Sequence, residues 1–292
     1  MMVLQALWGP PRGMVDRATL HCHEPGRKMV AFASDAAVVT AVKASPNHGV
    51  RRGERAPDMI VMHYTGMADA SEALARLCDP APAGGHAVSA HYFVFEDGAI
   101  LQCVPEARRA WHAGVASWLG DRDINSRSIG IEIANPGHDL GYRDFPDAQI
   151  AAVIALCSDI LGRRVIPPDC ILGHADVAPA RKRDPGEKFP WQTLFRAGIG
   201  HWVEPAGLAP GPDLECAADG PAVEALQAAL GAYGYGVEPT GVYDRATQQA
   251  VTAFQRHFRP VRVDGRADWS TLDTLTRLLA ARDRLASIGS AR

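Results

Sequence analysis

Apolar residues along the chain fall into two periods. Residues 59–64 form a short, almost unbroken apolar run, whereas Ile129, Ile131 and Ile133 alternate with Gly130, Glu132 and Ala134. The first pattern predicts a buried strand, and the second a strand with one face in the core. Residues 90–95, 100–104 and 170–173 also read as strands. Over residues 148–161 the period changes: Ile150, Val153, Ile154, Cys157, Ile160 and Leu161 recur at helical spacing, and Gly162 stands where a C-cap is expected. Strands interleaved with helices over residues 46–203 predict an α/β domain with a mixed central sheet flanked by helices.

A Pro/Gly stretch, EPAGLAPGP, reads as a linker over residues 204–213. Beyond it, three apolar stripes predict three helices: Val223, Leu226, Leu230 and Tyr233; then Val251, Phe254 and Phe258; then Leu272, Leu275 and Leu279. A G-x-x-D-x-x-T element occurs at Gly241, Asp244 and Thr247 and again 24 residues later at Gly265, Asp268 and Thr271. The aspartates are suited to capping the helices that follow. Residues 214–280 are therefore a small, internally duplicated three-helix domain, with a tail over 281–292. Residues 1–45 read as an extension, and Met29 is an alternative start.

Composition narrows the function. The 33 acidic and 30 basic residues nearly balance, at a net charge of −3, which gives no basic field for nucleic acid and no polybasic patch for a membrane. No apolar run approaches the length of a transmembrane helix. The six cysteines form no C-x-x-C pair and resemble no disulfide framework, which points to reduced, packed thiols. With no basic-then-apolar leader at the start, this favours a cytoplasmic address.

The candidate chemistry lies in histidines set beside acids. His63 ends one predicted strand and His174 follows another; Asp184 comes ten residues after His174, in a turn-forming stretch that can fold back on it. Taken singly, such histidines usually serve packing. Two imidazoles and a carboxylate, however, suit Zn²⁺ and leave one position for water. Glu132 lies on the small-residue face of its strand and suits a general base. Lys182 is tethered two residues before Asp184, where it can stabilise an oxyanion.

The motifs MHYTG, SAHYFV, RAWHAG, SIGIEIANPG and GHADVAPARKRDPG occur in that order. Together they resemble the type-2 N-acetylmuramoyl-L-alanine amidases, a family akin in fold to peptidoglycan recognition proteins and the T7-type lysozyme. Residues 214–280, with AFQRHF and VDG, resemble the peptidoglycan-binding domain often attached to such hydrolases. The resemblance implies zinc on His63, His174 and Asp184, Glu132 as the water activator, and Lys182 near the scissile carbonyl. It also implies that His91, Trp111, His112 and Asn135 contact substrate or support those that do. The reaction implied is hydrolysis of the amide between N-acetylmuramic acid and L-alanine, in peptidoglycan or in anhydro-muropeptides. A non-catalytic peptidoglycan sensor and a zinc hydrolase of a different amide stay open as alternatives. The wall-binding domain points to the periplasm, against the cytoplasmic reading.

Overall fold

The computed structural model describes residues 32–211 and 213–290. The proposed start at Met29 lies outside them. Among the described residues, eight strands and eight α-helices follow one another: β1 (Ala41–Val42), β2 (His48–Val50), β3 (Met59–Tyr64), α1 (Ala70–Cys78), β4 (Tyr92–Val94), β5 (Ile100–Gln102), β6 (Arg108–Ala110), α2 (Ile124–Arg127), β7 (Ser128–Ile133), α3 (Asp147–Arg163), β8 (Ile171–Gly173), α4 (His174–Val177), α5 (Trp191–Arg196), α6 (Pro221–Tyr233), α7 (Arg245–Phe258) and α8 (Trp269–Ser290).

Six strands form a mixed sheet in the order β1-β5-β4-β7-β3-β8; β2 and β6 pair separately. The central strands β4, β7, β3 and β8 run parallel, which is why β3 reads as a continuous apolar run. On β7, Ile129, Ile131 and Ile133 enter the main core with Ile150, Val153 and Cys157 of α3. The opposite face carries a smaller cluster, in which Phe93 and Ala134 meet Ala73 and Leu77 of α1. Among the described residues, no helix is long and apolar enough to cross a membrane.

Three boundaries differ from the sequence reading. The sheet begins before residue 46: Ala41 pairs with Leu101, and Asp35 accepts hydrogen bonds from the Gln102 side chain and the Glu106 amide. Helix α3 passes through Gly162 to Arg163, where Arg163 and the next residue, Arg164, both grip the buried carboxylate of Glu106. Residues after 280 continue α8, and Arg282 donates to the Ala232 carbonyl at 2.6 Å.

The three C-terminal helices pack as the stripes predict, with Val223, Leu226, Tyr233, Val251, Phe254 and Leu275 buried. Leu278, outside the predicted stripe, is buried in place of the half-buried Leu279. Asp244 and Asp268 accept from the amides of Thr247 and Thr271, capping α7 and α8.

This unit shares one apolar core with the sheet domain. Trp118, fully buried, meets Tyr233 and Tyr235 edge-on, with ring centres 6.0 and 5.1 Å away. Gly234 ends α6 against that indole, where a Cβ would collide with the ring. The Pro/Gly stretch is partly pinned, because Ser270 donates to the Ala206 carbonyl at 2.6 Å. The helical unit is docked rather than loosely tethered.

A shared core predicts one cooperative unfolding transition for the sheet domain and the helical unit together. Trp118→Ala should lower stability by about 3–5 kcal/mol. Denaturant unfolding followed by circular dichroism checks this. Two well-separated transitions in the wild type would contradict it.

Candidate active site

Sheet register brings the chemistry together. His63 on β3 pairs with Glu132 on β7, and Glu132 pairs in turn with Phe93 on β4. Paired residues on adjacent strands project to the same face, so His63 and Glu132 stand side by side. His174 opens α4 immediately after β8, the neighbour of β3 on its other side. Asp184 reaches the same point on a loop tied to α4, because the Ala175 amide donates to the Asp184 carbonyl at 2.8 Å.

The three side chains are buried and converge. His63 Nδ1 lies 2.9 Å from His174 Nδ1 and 3.1 Å from Asp184 Oδ2, and His174 Nδ1 lies 3.0 Å from the same oxygen. Their tautomers follow from the partners behind them. Ser128 Oγ donates to the Ile124 carbonyl at 2.6 Å, so it accepts from His112 Nε2 at 3.1 Å. His112 Nδ1 is then an acceptor, and His63 Nε2 donates to it at 3.0 Å. That leaves His63 Nδ1 without a proton. His174 Nε2 donates to the Ala113 carbonyl at 3.0 Å, so its Nδ1 is bare as well. Three lone-pair donors face one another with no hydrogen between them, and a cation satisfies all three. Two imidazoles and one carboxylate, buried and backed by hydrogen bonds, fit Zn²⁺.

Burial, then the neighbouring His174, pushes the His63 pKa down to about 4, which favours the neutral ring. Glu132 is raised: burial, then the charge of Asp184, pushes it up to about 8 against the pull of Lys182. Its Oε2 is buried without a hydrogen-bond partner. All these groups line one cavity of about 380 Å³, which Lys182, Trp111 and His112 also line.

Two sequence candidates do not line it. His91 is fully buried; its Nδ1 accepts from the Gly130 amide at 2.9 Å and its Nε2 donates to the Arg108 carbonyl at 3.0 Å. Asn135 is turned into its own loop, where it bonds the Arg143 carbonyl and the Gly137 amide. His91 and Asn135 are therefore supports, and Trp111 and His112 are the pair able to meet a ligand. Gly130 has a reason of its own, since a Cβ there would fall 2.5 Å from the His112 ring. The sequence reading passed over Ser128, Ala113 and Arg181. Ser128 stands in the SIGIEI motif, but its role depends on Ile124 and His112, which only the fold brings near. Arg181 lies beside Lys182, lines the cavity and donates to the Ala113 and Val115 carbonyls.

The N-acetylmuramoyl-L-alanine amidase family matches residues 53–187, and the peptidoglycan binding domain family matches residues 219–275. The N-acetylmuramoyl-L-alanine amidase AmiD of Escherichia coli strain K12 is 38% identical over 232 residues, 73% of this chain and 79% of AmiD. The structure of E. coli AmiD with its substrate anhydro-N-acetylmuramic acid-L-Ala-D-gamma-Glu-L-Lys is similar at a TM-score of 0.66 and 36% identity, over 80% of this chain and 92% of that one. AmpDh3 of Pseudomonas aeruginosa, solved with an anhydromuramic pentapeptide, matches at a TM-score of 0.62 and 30% identity, over 80% and 95% of the two chains.

Two outcomes follow from this geometry. His174→Ala should abolish zinc binding. Ser128→Ala, which frees His112 and through it His63, should weaken binding roughly 10–100-fold. Chelator competition measures both, and wild-type affinity in Ser128→Ala would contradict the hydrogen-bond chain. The second outcome concerns His91, whose pKa burial and then the Arg51 charge push down to about 3. Unfolded histidine titrates near 6.5. The folded value is the lower one, so the stability contribution of neutral His91 is complete above about pH 6.5. It is lost as pH falls from there towards about 3, by up to about 1.4 kcal/mol per pH unit. The melting temperature should drop between pH 7 and pH 5, and drop less in His91→Gln. An equal drop in that variant would contradict the assignment.

Proposed function

The chain belongs to the N-acetylmuramoyl-L-alanine amidases, and from that membership we propose that it uses zinc to cleave the amide between the lactyl group of N-acetylmuramic acid and L-alanine, with soluble anhydro-muropeptides as substrate. The observation that carries the proposal is the convergence of three unprotonated ligand atoms beside a carboxylate whose Oε2 is buried without a hydrogen-bond partner, in one cavity. The anhydro preference rests on the relatives, since AmiD and AmpDh3 were both solved with anhydromuramic peptides. For its address we propose the cytoplasm, from the spacing of the six cysteines, which resembles no disulfide framework.

His63, His174 and Asp184 hold the metal. Zinc at such a site supplies Lewis acidity, polarising an acyl oxygen and making water more acidic. Glu132 takes the proton from the attacking water and returns it to the departing alanine nitrogen. Its carboxyl must be ionised for the first step. The charge of Asp184 helps to raise Glu132, so neutralising that charge, as a metal held by His63, His174 and Asp184 would do, favours the Glu132 carboxylate. Lys182 places a positive charge on the cavity wall, where the scissile carbonyl gathers negative charge. Trp111 presents an aromatic face to the sugar or the peptide. The peptidoglycan-binding module would bind wall-derived material beside the catalytic unit.

Turnover of a purified anhydro-muropeptide, followed by liquid chromatography, tests these roles. Glu132→Ala should lower kcat roughly 10²–10⁴-fold while zinc stays bound. Lys182→Ala should lower it on the order of 10²–10³-fold. A Glu132→Ala enzyme that keeps most of its rate would overturn the base assignment.

A further inference from the structure

Helix α4 is four residues long and begins at His174. A single turn has too few internal hydrogen bonds to hold its own place, so its position depends on what it touches. Its buried anchor is Asp176, only 2% exposed. A carboxylate taken out of water must find donors. Asp176 finds one inside its own turn, the Gly173 amide at 2.8 Å from Oδ2. The others come from the C-terminal module: the Tyr235 hydroxyl at 2.6 Å from Oδ1 and His257 Nδ1 at 2.7 Å from Oδ2.

Both donors are themselves locked. The His257 ring stacks on Trp191 at 3.7 Å and on Phe258 at 3.8 Å. Tyr235 is buried against the edge of Trp118. Neither side chain has room to follow α4 if the turn shifts. The same turn controls two metal ligands, because it carries His174 and its Ala175 amide holds the Asp184 carbonyl.

We infer that Tyr235 and His257 are positioning residues for the metal site, fixing His174 and Asp184 through Asp176, so that the peptidoglycan-binding module is part of the catalytic centre's framework and not only a wall anchor. The inference rests on the zinc reading above. Without the two donors, Asp176 keeps one backbone amide and must turn towards water. His174 moves with it.

The test compares the full-length wild type with Tyr235→Phe, His257→Leu and His257→Asn. Asn offers an amide donor near the place of the lost Nδ1. Zinc affinity is read by chelator competition, and ligand geometry by the visible spectrum of the cobalt(II)-substituted protein. Tyr235→Phe and His257→Leu should each lose on the order of tenfold or more in zinc affinity and show altered cobalt bands. His257→Asn should recover both. A loss of packing alone would lower the melting temperature and leave the cobalt spectrum unchanged. Wild-type affinity and spectrum in Tyr235→Phe and His257→Leu would overturn the inference; should His257→Leu fail to fold, Tyr235→Phe decides alone. A wild-type protein that binds neither metal would instead overturn the zinc reading, and the inference with it.

Discussion

Three electron pairs aimed at one buried point are the constraint on which this site depends. Facing acceptors repel one another, so the fold must hold them together, and a cation between them would relieve that repulsion. The hydrogen-bond chain from the Ile124 carbonyl through Ser128 and His112 to His63 serves that end, as does the bond from His174 to the Ala113 carbonyl. Each places a proton on the far nitrogen of an imidazole and leaves the near one bare. Glu132, adjacent in the sheet, receives the opposite treatment: no partner for Oε2 and a raised pKa. One strand pair thus carries both His63 and Glu132, the candidate ligand and the candidate base, separated in chemistry by what stands behind each.

The helical module changes meaning once it is seen docked. A wall-binding unit on a free linker would act only by raising local concentration. Here its aromatic side chains complete the core around Trp118, and its Tyr235 and His257 reach the carboxylate of Asp176, two residues from His174. On the proposed reading, binding of wall material by the module and order at the metal site would be connected through α4, a turn too short to be stable alone. Such coupling has a cost for the protein, since damage far away in the helical unit reaches the reaction centre.

Much of this was legible in the residues. The apolar run of β3, the alternation of β7 and the helical spacing of α3 report local burial, and the strands and helices fall where those patterns place them. The motifs also singled out His63, His174, Asp184 and Glu132 as candidates, and the fold brings the first three within 3.1 Å of one another and sets Glu132 beside His63 in the sheet. What could not be read is non-local. Register between β3 and β7 decides that His63 stands beside Glu132, and no property of either segment states it. His91 carries the same type of motif signal as His112, yet it is sealed behind the site, because its two ring nitrogens meet the Gly130 amide and the Arg108 carbonyl. The Pro/Gly stretch reads as a tether because composition reports how a segment bends, not what its ends pack against.

The most direct measurement is a mass-spectrometric digest of a purified anhydro-muropeptide by the full-length protein, with zinc, after chelation, and after zinc is restored. Free peptides beginning at L-alanine should appear with zinc, vanish on chelation and return on repletion. Intact substrate in the zinc-loaded reaction, or undiminished cleavage after the metal has been stripped, would contradict a zinc amidase built on His63, His174, Asp184 and Glu132.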